Sequence, residues 1–287
     1  MRRGPRSSRP RVKLYRRDER ALFAPVLLLA AWLPSAAQPP RFDESRIVRA
    51  SACCVFSLNP NGPDIDAYDE SGRLLFHTEI SFESASRVML LDATSQGQNI
   101  VVTGVAFAGT LRREFAAFLA TSGQVVHVIP IVQFEPRAVC VGSAQSLWVA
   151  GQPMNKTRGS ESAMLRHYRF DGKLIGEYLR EPVGGAPYLA CMGDNIALTH
   201  PASGDWIDLG PGGGILRRLK LPGNGDVTGA AAVPGRALVS VGSKLYELGL
   251  GDETWSEIPS PLDFDRLIGP ATYLGRDRRA RAFPIRR

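Results

Sequence analysis

A polar turn containing glycine, set between two short apolar strands, recurs along the chain. Tyr68-Asp69-Glu70-Ser71-Gly72-Arg73-Leu74-Leu75 is the first copy, Leu119-Ala120-Thr121-Ser122-Gly123-Gln124-Val125-Val126 the second, and Tyr168-Arg169-Phe170-Asp171-Gly172-Lys173-Leu174-Ile175 the third. Weaker copies run from Leu209 to Leu216 and from Leu248 to Trp255. Gly72 and Gly123 are 51 residues apart and Gly123 and Gly172 are 49 apart. A fixed interval of this size marks a fold built from stacked structural repeats.

Around the turns, four units share one order of pieces. Each has four short runs rich in Val, Ile, Leu and Ala, bounded by Gly, Pro, Asn, Asp or Ser. The first unit has Arg87–Leu91, Asn99–Gly104, Phe115–Leu119 and Val125–Ile129. The second has Arg137–Gly142, Ser146–Gly151, Met164–Tyr168 and Leu174–Tyr178. The third has Tyr188–Gly193, Asn195–His200, Asp205–Leu209 and Ile215–Leu219, and the fourth spans Val227 to Ile258. Short runs with such punctuation predict strands and an all-β fold. Hairpins this short need neighbours to bury their apolar faces, and a ring of small sheets supplies them. The predicted architecture is a β-propeller of four-stranded blades. At the ends, Asp64–Tyr68 and Leu74–Ile80 read as an outer pair, and Arg266–Ile268 and Ala280–Ile285 as inner strands without one. Joining these would close the ring with five blades. Six follow if residues 42–57 supply inner strands of their own, and six is the expected number.

The units resemble the blades of exported bacterial six-bladed β-propellers, a superfamily that includes NHL-type and TolB-type repeats. The likeness covers most of residues 38–287 and rests on the strand, Asp-x-x-Gly or Asp-Gly turn, strand pattern. That pattern specifies a hairpin array and no individual family, so the resemblance implies a fold and no catalytic residue.

Residues 1–37 read as a separate segment. Nine arginines and lysines stand before Ala21, an uncharged apolar run extends from Ala21 to Leu33, and Ser35-Ala36-Ala37-Gln38 follows. These are the three parts of a secretory signal, with cleavage expected after Ala37 and no stable membrane span thereafter. The run is shorter than the roughly 20 residues that cross a bilayer. The product is expected to be exported, periplasmic or secreted from a bacterium. The leader also carries the charge. The chain has 35 Lys and Arg against 28 Asp and Glu, but without the nine basic and two acidic residues of the leader 26 of each remain. A high pI confined to the leader gives no footprint for nucleic acid. One basic cluster is left, Arg276, Arg278, Arg279, Arg281, Arg286 and Arg287 against Asp277. It reads as a solvated hairpin and tail, or as a patch for an anionic glycan, lipid headgroup or acidic partner.

No arrangement of residues spells out a reaction. Cys140 and Cys191 fill the same slot in successive units, as two packed thiols or as a disulfide, whereas the adjacent Cys53 and Cys54 would point to opposite faces of a strand. The four cysteines lack the spacing of a structural zinc site. His77, His127, His167 and His200 form no metal-binding pair and read as surface or edge residues, with His200 the best placed to face the ring mouth. Asp64, Asp66 and Asp69 precede Gly72 without the glycine and glutamate of an EF-hand, which points to turn chemistry and not to calcium. Asn155-Lys156-Thr157 matches a glycosylation acceptor.

No catalytic residue, metal or cofactor is therefore assigned. The sequence favours a monomeric, non-enzymatic scaffold that binds a protein, small molecule or glycan at one mouth of the ring, through loops such as Pro153–Glu161 and Gly223–Asp226. The alternative is an exported hydrolase, lyase or metal-dependent lactonase with acids and histidines gathered on the axis. Either way the search moves from the glycine turns to the opposite, axial ends of the inner strands.

Overall fold

The computed structural model describes residues 39–143, 145–154, 163–180, 187–200, 203–223, 226–233, 235–249 and 251–283. Residues 1–38, where the signal segment is expected, Asn155–Thr157, most of the loop after Pro153, residues 224–225, Arg286 and Arg287 lie outside them. The fold is all-β, with no helix among the described residues.

Blade one is β1 (Ile47–Ala50), β2 (Val55–Leu58), β3 (Asp64–Tyr68) and β4 (Leu74–Glu79). Blade two is β5 (Arg87–Gln96), β6 (Asn99–Ala108), β7 (Leu111–Leu119) and β8 (Val125–Pro130). Blade three is β9 (Phe134–Gly142), β10 (Ser146–Pro153), β11 (Ala163–Arg169) and β12 (Leu174–Arg180). Blade four is β13 (Leu189–Met192), β14 (Asn195–His200), β15 (Asp205–Leu209) and β16 (Ile215–Lys220). Blade five is β17 (Val227–Val233), β18 (Arg236–Val241), β19 (Lys244–Gly249) and β20 (Ser256–Ile258). Blade six is β21 (Phe264–Gly269), β22 (Thr272–Gly275) and β23 (Ala280–Ala282). Every sheet is an antiparallel meander in chain order.

The first strands of the blades touch one another in the cycle β1, β5, β9, β13, β17, β21 and back to β1, which makes the ring and its axis. Six apolar clusters fill it, one at each blade interface. Trp148, Trp206, Phe56, Phe134 and Phe264 are the largest side chains wholly withdrawn from solvent. The core is thus distributed around the ring, as nearest-neighbour packing of repeats requires.

Six blades form because residues 47–58 pair with their own outer strands; that outer pair does not join the C-terminal strands. Ala280 begins the third strand of blade six and is not on an inner strand. The N-terminal segment supplies the missing edge instead. Arg41 bridges Arg279, the Phe42 amide donates to Arg278 O at 2.9 Å, and the Phe42 ring is buried beside Ile268, Leu274 and Ala280.

The repeated turn has one geometry in four blades. Asp69 N–H donates to Arg73 O and Gly72 N–H to Asp69 O; the same two bonds recur at Ala120–Gln124, Arg169–Lys173 and Gly210–Gly214. In each, the register slips at the end of the third strand, at Tyr68, Leu119, Tyr168 or Leu209, opposite Leu74, Val125, Leu174 or Ile215. Gly72, Gly123, Gly172 and Gly213 hold φ between +77° and +87°, where a side chain is disfavoured. Contact imposes a second demand. A Cβ on Gly123 would lie 2.6 Å from Phe76, one on Gly172 3.2 Å from Ile129, and one on Gly213 2.1 Å from Tyr178, all on the fourth strand of the preceding blade. On Gly72 it would lie 2.7 Å from Pro39 and Pro40, so residues 39–40 hold the place of that strand for blade six.

Candidate functional site

A cavity of about 290 Å³ lies on the axis, and all six inner strands contribute to its wall. Most of the lining is small: Ala50, Ala52, Ala93, Ala138, Ala190 and Ala230 to Ala232. Apart from Pro187, Tyr188 and Leu189 at the entry to β13, the contributing residues come from the C-terminal parts of the inner strands and from turns that follow them, such as Ser51, Ala52 and Pro270. In a four-strand meander these turns share a face with the glycine turns. The cavity therefore lies toward that face, not the opposite one.

One polar layer crosses the axis, built by the whole ring. Arg49 of blade one donates through Nε to Asp92 Oδ1 of blade two at 2.7 Å. Asp92 Oδ2 accepts the Val139 amide of blade three at 2.9 Å. The Arg49 guanidinium also lies 5.9 Å from the ring centre of Tyr188, on the diametrically opposed blade four. The Tyr188 hydroxyl donates to Thr228 O of blade five at 2.7 Å. Arg266 of blade six lies within electrostatic reach of both Arg49 and Tyr188. Groups from the opposed blades one and four meet only at the axis.

Asp92 is buried, whereas Arg49 is partly open. Burial pushes the Asp92 carboxyl above its ordinary range, against the pull of Arg49 and the Val139 amide. Tyr188 is likewise raised by burial, with Arg49 opposing. A bulge between Leu90 and Asp92 turns the carboxylate out of the strand alternation.

Cys140 and Cys191 face each other across blades three and four and form a disulfide, with Cα atoms 5.6 Å apart, in the cavity wall. Cys53 and Cys54 are bonded to each other. They do not sit on a strand: Ala50 pairs with Val55, and Ser51 N–H donates to Cys54 O at 2.9 Å, so they belong to the hairpin turn, where strand alternation does not hold.

The other residues singled out in the sequence do not converge. His77 lies on β4, with Nδ1 2.7 Å from Asp66, and the hydrogen bond to that carboxylate raises its pKa. His127 stacks on Phe118 and contacts Phe170 O of the next blade. His167 is no edge residue: it stacks on Trp148 with ring centres 3.8 Å apart, and burial lowers its pKa. His200 ends β14, one strand away from the axis, and its Nδ1 accepts the Ser203 amide. Asp64 and Asp66 both pair with Arg46, and Asp69 caps its turn by accepting from Ser71 and Arg73. In the basic hairpin, Arg281 pairs with Asp277 and Asp263, holding the Asp277 pKa down to about 2. No three His, Cys, Asp or Glu residues gather into a metal-holding group among those described, nor is any helix there long and apolar enough to cross a membrane.

Arg49, Asp92, Tyr188 and Arg266 are the residues that sequence reasoning misses. For Arg49 and Asp92 the signal is a charge inside an apolar inner strand, as in Ile47-Val48-Arg49-Ala50 and Leu90-Leu91-Asp92-Ala93.

No protein-family model and no curated protein matches the chain. Solved structures match it in shape. A protein of unknown function from Bacteroides caccae superposes with a TM-score of 0.54 at 10% identity, over 79% of this chain and 86% of that one. The WD40 domain of Neurospora crassa Pan2 gives 0.53 at 11%, over 83% and 72%. Virginiamycin B lyase from Staphylococcus aureus gives 0.51 at 16%, over 88% and 86%. Identities this low extend the likeness to the fold and no further. The chain has the fold of a six-bladed β-propeller.

Proposed function

We propose that the protein is an exported, monomeric, non-enzymatic binding scaffold that takes a small ligand in its axial cavity. The observation that carries this reading is the engagement of Asp92. Among the described residues it is the one carboxylate in the cavity wall, and both of its oxygens are committed, to Arg49 and to the Val139 amide. A general acid or base needs a group within reach of substrate that is free to exchange a proton. Walls of alanine and other small side chains instead leave volume to be filled, close to the lower end of small-molecule sites. Two disulfides, together with the leader-like residues 1–37, support export.

The test is a ligand screen on the protein recovered from an exporting host. Native mass spectrometry and thermal shift should find a compound that saturates at one molecule per chain. Ala52→Trp, at an exposed position of the cavity wall, should block it without loss of fold. Chemical turnover of the bound compound, or binding that Ala52→Trp leaves intact, would overturn the reading. Amino-terminal sequencing should begin at Gln38; a product that retains residues 1–37 would argue against cleavage after Ala37.

A further inference from the structure

The turn between β1 and β2 is a wall shared by two cavities. Ala50, Ser51 and Ala52 line the axial cavity and also a second one, of about 340 Å³, between blades one and six. Cys53 and Cys54 complete the turn and line the second cavity. The turn is pinned to blade two at Ser95, itself in the axial wall. Ser51 Oγ donates to Ser95 O at 2.8 Å and accepts the Ser95 amide at 2.8 Å, and the Cys53 amide donates to Ser95 Oγ at 3.4 Å. Whatever moves this turn moves the wall of both cavities.

The two disulfides differ in kind. Cys140 and Cys191 join two blades with Cα atoms 5.6 Å apart, inside the roughly 4.4–6.8 Å that an unstrained bridge spans. Adjacent residues cannot reach that range, because the peptide bond between Cys53 and Cys54 fixes their Cα atoms 3.8 Å apart. The small ring that the bond closes contains the peptide itself, and strain makes a disulfide easier to reduce. A loop closed between neighbours also takes little freedom from the unfolded chain, so the fold gains little from it. What the bond fixes is the path of the turn. Cys53 is partly exposed, within reach of a thiol, whereas Cys54 is buried among apolar side chains between blades one and two.

We infer that Cys53 and Cys54 form a redox-active site, opened by an external thiol, that resets the shape of the cavity wall. A thiolate attacks Sγ of Cys53, the bond between the two sulfurs breaks, and Cys54 leaves as a thiolate that takes up a proton. A second thiolate attacks the external sulfur of the mixed disulfide and releases Cys53 in the same way. Two external thiols are oxidised to one disulfide, and their protons end on the two cysteines. The open turn loses the constraint that aims the Cys53 amide at Ser95. The redox step stands on the two sulfurs alone; its effect on a ligand rests on the proposed function, because it presumes that the axis is where the ligand sits.

The whole chain from an exporting host is equilibrated with reduced and oxidised glutathione, alkylated, and read by peptide mass spectrometry. Cys53 and Cys54 should become labelled under conditions at least about tenfold less reducing than Cys140 and Cys191 require. The Ser51, Cys53 and Ser95 amides, each hydrogen-bonded in the closed turn, should then exchange at least about fivefold faster, with β14 unchanged. Cys53→Ser combined with Cys54→Ser should exchange as fast without any thiol and unfold in urea near the parent midpoint. Opening of both bridges together would overturn the inference, and so would unchanged exchange in the open form. A double variant that fails to fold would make the bond structural and overturn it equally. A ligand from the screen above should bind the open and closed forms at least about threefold differently, and equal affinities would refute control of the site. Absence of any ligand would refute the proposed function, while labelling and exchange decide the redox site on their own.

Discussion

Asp92 is the residue on which the axial layer depends, since it joins three blades through two hydrogen bonds. Its removal leaves Arg49 facing the axis without a counter-charge. Asp92→Ala should cost about 3–5 kcal/mol, the range for breaking a buried pair from one side. Replacing both partners, in Arg49→Met with Asp92→Leu, should recover most of that loss. Urea unfolding of the two single variants and the double variant measures the cycle; additive losses would show that the pair is not coupled. Two histidines set opposing pH dependences. His167 has neither ring nitrogen hydrogen-bonded among the described residues, and burial depresses its pKa below the unfolded value. As pH falls below about 6.5, the unfolded chain takes up a proton that the folded chain refuses, so stability declines. His77, raised by Asp66, acts the other way: its contribution is present below about 6.5 and is lost as pH rises through its folded pKa, and exposure keeps it small. His167→Phe should therefore flatten the fall in urea midpoint between pH 7.5 and 5, whereas His77→Ala should steepen it slightly.

The hairpin that joins the third and fourth strands of a blade is defined by a turn and by what the turn touches. Gly123 and Gly251 have nearly the same φ, +85° and +88°, yet a Cβ meets Phe76 and Thr78 at the first and nothing within 4 Å at the second. Gly251→Ala should cost about 1–2 kcal/mol, the strain of a left-handed residue. Gly123→Ala should cost that plus about 1–3 kcal/mol of overpacking. Equal losses in thermal or urea unfolding would mean that the contact with the preceding blade contributes nothing. The strand order of blades two to five is legible in the sequence because each strand is an apolar run between turn residues. Lengths are less so. β5 and β6 each have ten residues, and Asp92 interrupts the apolar run at the point where a bulge lets the strand continue. β22 is too short, at four residues, to stand out from the loops around it. The axial layer is not legible as a site, because its members are spaced from Arg49 to Arg266 and the ring alone brings them together. Nor does sequence separate a thiol pair from a bridge at Cys140 and Cys191, since both satisfy a small buried slot; the facing of two neighbouring inner strands makes the distinction.

At the scale of the ring, one seam differs from the other five. Blade six has three strands, and its fourth edge is lent by residues 39–42, with Phe42 buried in the last interface. Phe42→Ala should cost about 3–5 kcal/mol, as for other buried phenylalanines, and should raise amide exchange first in β21 to β23. Uniform acceleration across all blades would instead show that the ring opens as one unit. The disulfide between blades three and four has a mechanical meaning. Stretching force applied at residues 39 and 283 enters at this seam, so blade six should detach before any other. The stretch of chain from Cys140 to Cys191, a separation of 51 residues, is shielded from the load by the bond that closes it. A fully extended molecule should therefore measure roughly 170 Å short of its contour length, at about 3.4 Å per residue, until a reducing agent releases the hidden length in a single step.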